Sequence, residues 1–122
     1  KLNRFCKIRE KNFNYYQKKI INNYWKIKPI KNSFVSNFGY PIISPFKNEI
    51  VEELTKQRIQ VRPLISGSMN KQPFFRKNIK IKPLKASTEV DKFGMYLPNH
   101  HDLSFKQIDF ICNIVNKIIN NK

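Results

Sequence analysis

Little in this sequence supports chemistry of its own. Cys6 and Cys112 are its only cysteines and stand far apart. That excludes a disulfide framework and offers no pair at metal-ligand spacing. Each falls on the apolar face of a predicted helix and reads as a small core residue. No apolar run approaches the ~18 residues of a membrane span. The opening KLNRFCKIREKNFNYY has neither an apolar signal region nor a cleavage site, so a soluble, cytoplasmic protein is expected. Ser66-Gly67-Ser68 lacks the Gly-Lys-Ser/Thr and helix start of a phosphate-binding loop. Gly-x-Ser-x-Gly is absent, as is a supported Ser/His/Asp order. Acidic residues number eight against 24 basic ones. Three of them, Glu49, Glu52 and Glu53, gather on one predicted helix, where they serve its dipole. No general acid/base carboxylate pair is supported. There is no internal repeat and no long linker. The chain opens on Lys1, not Met, inside a helix-like pattern, so a piece of a longer protein is expected.

What is abundant is lysine. The formal net charge is +16 over 122 residues, with 40% hydrophobic and 13% aromatic content. That core content excludes a disordered tail and fits one domain. The charge invites nucleic acid. Yet only Arg4, Arg9, Arg58, Arg62 and Arg76 are arginine, and alanine occurs once, at Ala86. Lys, Asn, Ile, Phe and Tyr are favoured by AT-rich codons, so coding bias explains much of the lysine. A phosphate-reading surface leans more on arginine. A small basic RNA-binding module, with Tyr15, Tyr24 and Trp25 as stacking aromatics, stands as the alternative reading; nucleic acid is not the favoured partner.

The apolar spacing predicts a long helix over residues 2–25, through Leu2, Phe5, Cys6, Phe13, Tyr16, Ile20 and Tyr24. A strand is expected over 33–43, with Gly39-Tyr40-Pro41 as a bulge or edge. Ser44-Pro45 reads as a helix cap followed by proline at the first helical position. The helix it opens buries Ile50, Val51 and Leu54. A strand over 59–64, an extended edge over 78–85 and a short helix over 87–93 closed by Gly94 follow. The strand Met95-Tyr96-Leu97 is stopped by Pro98. In the last helix Ser104 and Gln107 make a capping box and Leu103 staples onto Ile108. Ile108, Ile111, Cys112, Val115, Ile118 and Ile119 form its stripe. The order implies an α+β fold, a small sheet covered by helices.

His100-His101-Asp102 tempts as a catalytic cluster. Adjacent histidines on extended chain point apart, and no third ligand stands at zinc spacing. No metal site is expected, and His100 is the candidate for a single ligand contact. The stretch RIQVRPLISGSMNKQPFF is the other candidate, a mostly uncharged loop held between prolines in a lysine-rich chain.

IQVRPLISGSMNKQPFF and KFGMYLPNHHDLSFKQIDFICNIV resemble the C-terminal part of the DegT/StrS-type sugar aminotransferase and dehydratase family. The family pattern is a helix ending in "GI", then "RPL", a small-residue turn, "QP", and later "G-x-Y-x-P-N" and "L-T/S-x-x-x-I-D". Matching residues are Ile59, Arg62-Pro63-Leu64, Gly67-Ser68, Gln72-Pro73, Gly94, Tyr96, Pro98-Asn99, Leu103-Ser104 and Ile108-Asp109. KLNRFCKIREKNFNYYQKKI is similar to the family's long helix, and SNFGYPI to its "S-W-F-G-F-P-I" strand.

The resemblance implies the C-terminal small domain of a fold-type I, pyridoxal-phosphate-dependent enzyme, with residues 1–28 as a connecting helix and 29–122 as the α+β domain. It implies a nucleotide-linked 4-keto-6-deoxy sugar as substrate, either aminated from a donor such as glutamate or stripped of its 3-hydroxyl, in a homodimer. The cofactor-bonding lysine, the aspartate at the pyridine nitrogen and the ring-stacking residue belong to a preceding large domain. No lysine here matches the cofactor-lysine motif, and neither His100 nor His101 sits where histidine replaces it in dehydratases. The domain would shape the sugar pocket and support the dimer without turning over alone. Arg62, Ser66, Gly67, Ser68, Gln72, Asn99 and His100 are its candidate substrate-binding residues, with no catalytic, cofactor-binding or metal residue in the chain. Arg62 either pairs with phosphate or braces the turn.

Overall fold

The computed structural model describes residues 1–21, 28–64, 67–78, 82 and 84–121. The elements are α1 (Leu2–Lys19), β1 (Gly39–Ile43), α2 (Lys47–Lys56), β2 (Arg62–Pro63), a 3-10 turn at Met69–Lys71, α3 (Pro73–Asn78), α4 (Lys85–Phe93), β3 (Gly94–Pro98) and α5 (Phe105–Asn120). The sheet is antiparallel in the order β1-β3-β2. The expected α+β architecture, a small sheet covered by helices, is the one observed.

Period-two alternation decides which face of the sheet is covered. Tyr40 and Ile42 on β1, and Met95 and Leu97 on β3, are buried in one core with Phe13, Tyr16, Ile50, Leu54, Ile108 and Val115. Pro41 lies in an edge strand, where the N–H it lacks is not needed by the ladder. Side chains of α1 bond to the body along its length. Tyr16 donates to the Pro98 carbonyl at 3.0 Å, Asn12 to the His100 carbonyl at 3.1 Å, and Tyr15 to Asp109 at 2.9 Å. Lys19 pairs with Asp109 at 2.9 Å.

Several boundaries differ from the sequence-based expectation. The first helix ends at Lys19, because Ile20 turns extended and is fully buried. Asn116 of α5 fixes that exit, donating to the Lys19 carbonyl at 2.8 Å and accepting from the Ile21 N–H at 3.3 Å. The predicted continuation through Tyr24 lies outside the described residues. The first strand pairs only from Gly39, since its partner β3 ends at Pro98, opposite that residue. Ser44 does not cap α2. Its N–H donates to the Phe93 carbonyl at 3.1 Å, so it extends the sheet, and the helix starts after Phe46. The strand expected over 59–64 shrinks to two residues, and most of the edge expected over 78–85 lies outside the described residues. Gly94 closes α4 as expected, its N–H donating to the Val90 carbonyl, but its backbone is extended and also opens β3. Its lack of a side chain serves close approach, since a Cβ there would strike the Val90 carbonyl and Leu64. Pro73 opens α3 as a first-turn proline, and Phe74 is exposed.

The last helix is as expected. Ser104 Oγ accepts from the Gln107 N–H at 3.3 Å, and Gln107 Oε1 accepts from the Ser104 N–H at 2.9 Å. Ile108, Ile111, Cys112, Val115 and Ile119 are buried. Ser104→Ala removes one half of this box and is expected to lower stability by about 1 kcal/mol in urea unfolding. Both cysteines are free, and burial pushes the Cys112 thiol up to about 12. Among the described residues no helix is long and apolar enough to cross a membrane.

Candidate functional site

The candidate residues sort into two places at opposite ends of β3. At its Pro98 end lies a groove of about 610 Å³ between β2, the C-terminus of α2 and the first turns of α5. It is built outward from the backbone. The α2 helix closes with the Arg58 N–H on the Thr55 carbonyl and the Ile59 N–H on the Leu54 carbonyl, both at 2.9 Å. That closure puts Arg58 at φ 58°, a left-handed conformation that costs a non-glycine residue roughly 1–2 kcal/mol. Ile59 then packs against the core, and Arg58 stands exposed at the groove. Arg62 is the register partner of Tyr96, so their side chains share a sheet face. The first turns of α5 add Lys106 and Phe110, and His100 completes the rim. Leu103 and Ile111 supply an apolar floor.

The electrostatics are one-sided. Arg58, Arg62 and Lys106 line this groove and no carboxylate does. Among the described residues none of the three is ion-paired to a carboxylate. Sequence reasoning found Arg62 and His100 but missed Arg58, Lys106 and Phe110. One signal was available for Arg58, which stands where the family pattern "GI" has glycine.

The loop after β2 leaves from the other end. The Leu64 N–H donates to the Gly94 carbonyl at 3.4 Å. Gly67 follows at φ 56°, and a Cβ there would strike Asp91 Oδ1, which are two separate reasons for glycine. Ser68 is buried, with its Oγ 3.3 Å from Ser87 Oγ. Lys71 pairs with Asp91 at 2.8 Å, and Lys47 donates to the Asp91 carbonyl at 3.4 Å. Gln72 is exposed and closes the 3-10 turn. Ser66 lies outside the described residues. Asp91 is thus the post to which this loop is tied. The Lys71 ammonium, then the Ser68 backbone N–H, hold its carboxyl below the ordinary value. A group with a depressed folded pKa stabilises above its unfolded value and loses that contribution as pH falls through the folded one. The protection factor of the Ser68 amide, its intrinsic rate divided by its observed exchange rate, is therefore expected to fall below about pH 4, with those of core amides of α5 unchanged, as read by hydrogen-exchange NMR.

Asn99 belongs to neither place. It is buried, and its Nδ2 donates to the Arg9 carbonyl at 3.2 Å and the Asn37 carbonyl at 2.8 Å. His100 Nδ1 accepts from the Asp102 N–H at 3.2 Å. His101 stacks on Phe5 with ring centroids 3.8 Å apart. Among the described residues no cluster could hold a metal ion. Of the aromatics weighed for RNA stacking, Tyr15 is engaged by Phe105 and Asp109, and Tyr24 and Trp25 lie outside the described residues.

A model of the DegT/DnrJ/EryC1/StrS aminotransferase family matches residues 1–116. No curated protein matches the chain by sequence. Among solved structures it is similar to the Escherichia coli GDP-4-keto-6-deoxy-D-mannose-3-dehydratase with bound hydrated PLP, at 25% identity and a TM-score of 0.78, covering 93% of this chain and 31% of that one. It is also similar to a Helicobacter pylori aminotransferase involved in pseudoaminic acid biosynthesis, at 21% identity and a TM-score of 0.77, covering 97% and 33%. A Micromonospora echinospora sugar aminotransferase superposes with a TM-score of 0.83 at 11% identity, covering 96% and 31%. The chain spans about a third of the length of these relatives.

The family uses pyridoxal phosphate, but the groove described here does not fit the cofactor's reactive end. A lysine that bonds a carbonyl needs its neutral form favoured. Lys19 and Lys56 are pushed the opposite way, by hydrogen bonds to Asp109 and Glu52. The groove also lacks any carboxylate to face a pyridine nitrogen.

Proposed function

The chain belongs to the DegT/DnrJ/EryC1/StrS aminotransferase family, and from that premise we propose that it is the C-terminal portion of a pyridoxal-phosphate-dependent enzyme acting on a nucleotide-linked 4-keto-6-deoxy sugar. The enzyme either moves nitrogen from a donor such as glutamate onto the sugar or removes the 3-hydroxyl, working as a cytoplasmic homodimer. The observation that carries the proposal is the match over residues 1–116 in a chain about a third as long as its solved relatives.

The cofactor and its chemistry belong to sequence outside this chain, with α1 as the connection to it. The chain's own work is binding and orientation. Arg62 and His100 present a cation and a hydrogen-bonding ring at the groove. The loop at the other end of β3 offers the exposed Gln72 amide as a further contact, with Gly67 and Ser68 holding the loop against Asp91 and Ser87. Asn99 does not line the groove and serves the fold, tying α1 and the segment before β1 to the end of β3.

The test uses the polypeptide translated from the whole reading frame that contains these residues. It is incubated with pyridoxal phosphate, glutamate and GDP-linked 4-keto-6-deoxymannose, with UDP- and dTDP-linked 4-keto sugars in parallel, and the products are read by mass spectrometry. The expected product of at least one has an amine in place of the 4-keto group or lacks the 3-hydroxyl. A protein that retains no cofactor and leaves every sugar unchanged would overturn the proposal.

A further inference from the structure

We infer that the groove at the Pro98 end of β3 binds a nucleoside diphosphate, and that Arg58 is one of its phosphate ligands. The inference deepens the proposed function and rests on it for the class of ligand. It assigns the nucleotide end of the substrate to residues on this chain.

Three observations carry it. The groove brings Arg58, Arg62 and Lys106 together with no carboxylate among its lining, so their charges are left for an anion from outside. Two ring-bearing side chains, Tyr96 and Phe110, stand in the same groove, and a planar base can pack on such faces. The third observation is the backbone of Arg58. A left-handed residue closing a helix is usually glycine, sometimes asparagine. This chain has asparagine in abundance, yet an arginine holds φ 58° here. Arginine is scarce in it, five among 24 basic residues, and two of the five line this one groove. Coding bias toward lysine and asparagine does not produce that pairing, whereas phosphate recognition by a bidentate fork does. Strain held at an exposed charged residue marks functional positions.

The geometry yields a test in which stability and binding move in opposite directions. Arg58→Gly and Arg58→Lys are made in the polypeptide translated from the whole reading frame. Urea midpoints and calorimetric affinities for GDP, UDP and inorganic pyrophosphate are measured for each. Arg58→Gly is expected to raise the urea midpoint, since glycine accepts the left-handed backbone freely. It is expected to weaken binding of the preferred nucleotide about 10-fold or more, with a shallower salt dependence, as one charge-assisted contact is lost. Arg58→Lys keeps the charge and loses the fork, so its affinity falls between the two. Pyrophosphate is expected to bind more weakly than the nucleotide, because it has no ring for Tyr96 and Phe110. An unchanged nucleotide affinity in Arg58→Gly, or no nucleotide binding by the unmodified protein, overturns the inference. The two readings fail separately. Turnover of a nucleotide sugar with a KM indifferent to Arg58→Gly sinks the groove and leaves the family reading standing. Nucleotide binding that depends on Arg58, in a protein that neither retains cofactor nor alters any sugar, does the reverse.

Discussion

Asn99→Ala is expected to destabilise the fold by about 1–3 kcal/mol, since it removes two hydrogen bonds that each contribute roughly 0.5–1.5 kcal/mol. The side chain is 1% exposed. Its Nδ2 joins the Arg9 carbonyl in α1 and the Asn37 carbonyl before β1 to the end of β3. Alanine keeps neither bond, and the gain from removing the buried, unpartnered Asn99 Oδ1 offsets only part of the loss. Urea unfolding reads the effect directly. The sequence marked Asn99 as a candidate substrate contact, and the same variant separates the two roles. A positioning residue lowers the urea midpoint and leaves the nucleotide affinity of the folded protein unchanged. A ligand residue would keep the midpoint and weaken binding.

Leu97→Ala is expected to cost roughly 2–5 kcal/mol, the range for truncating a fully buried leucine. Leu97 sits on the central strand, opposite Tyr40 across β1, and has no exposed surface. It belongs to the core shared by α1, α2 and α5, so collapse to fill the cavity is opposed from several sides. A domain of this size has a total stability of only about 5–15 kcal/mol. The variant is therefore expected to unfold at far lower urea concentration, with an unchanged slope if the denatured state is the same. A cost below about 1 kcal/mol would mean that the sheet is not the centre of the core.

What was legible in the sequence is what local chemistry decides. The α5 helix was readable whole, because Ser104 and Gln107 satisfy each other three residues apart and the apolar stripe repeats at helical spacing. β3 was readable because Pro98 stops it. What escaped was set by distant partners. The end of α1 is fixed by Asn116 from α5, and the length of β1 by where β3 ends. Ser44 has the composition of a cap but is recruited by Phe93 into the sheet. The loop post Asp91 was invisible, since its pairing with Lys71 exists only once α4 lies against the loop. The candidate site was half legible. Motif order gave Arg62 and the chemistry of histidine gave His100, but no periodicity marks a left-handed Arg58 or sets Lys106 and Phe110 beside it.

The central claim is that this chain binds and orients substrate for a cofactor held elsewhere in the same enzyme. It is tested most directly by locating that cofactor. The polypeptide from the whole reading frame is loaded with pyridoxal phosphate, reduced with borohydride, digested and mapped by mass spectrometry. The account predicts about one cofactor retained per polypeptide before reduction, with every lysine of residues 1–122 free of the pyridoxyl group. A pyridoxyl group on a lysine within residues 1–122, or a protein that retains no cofactor, would contradict it.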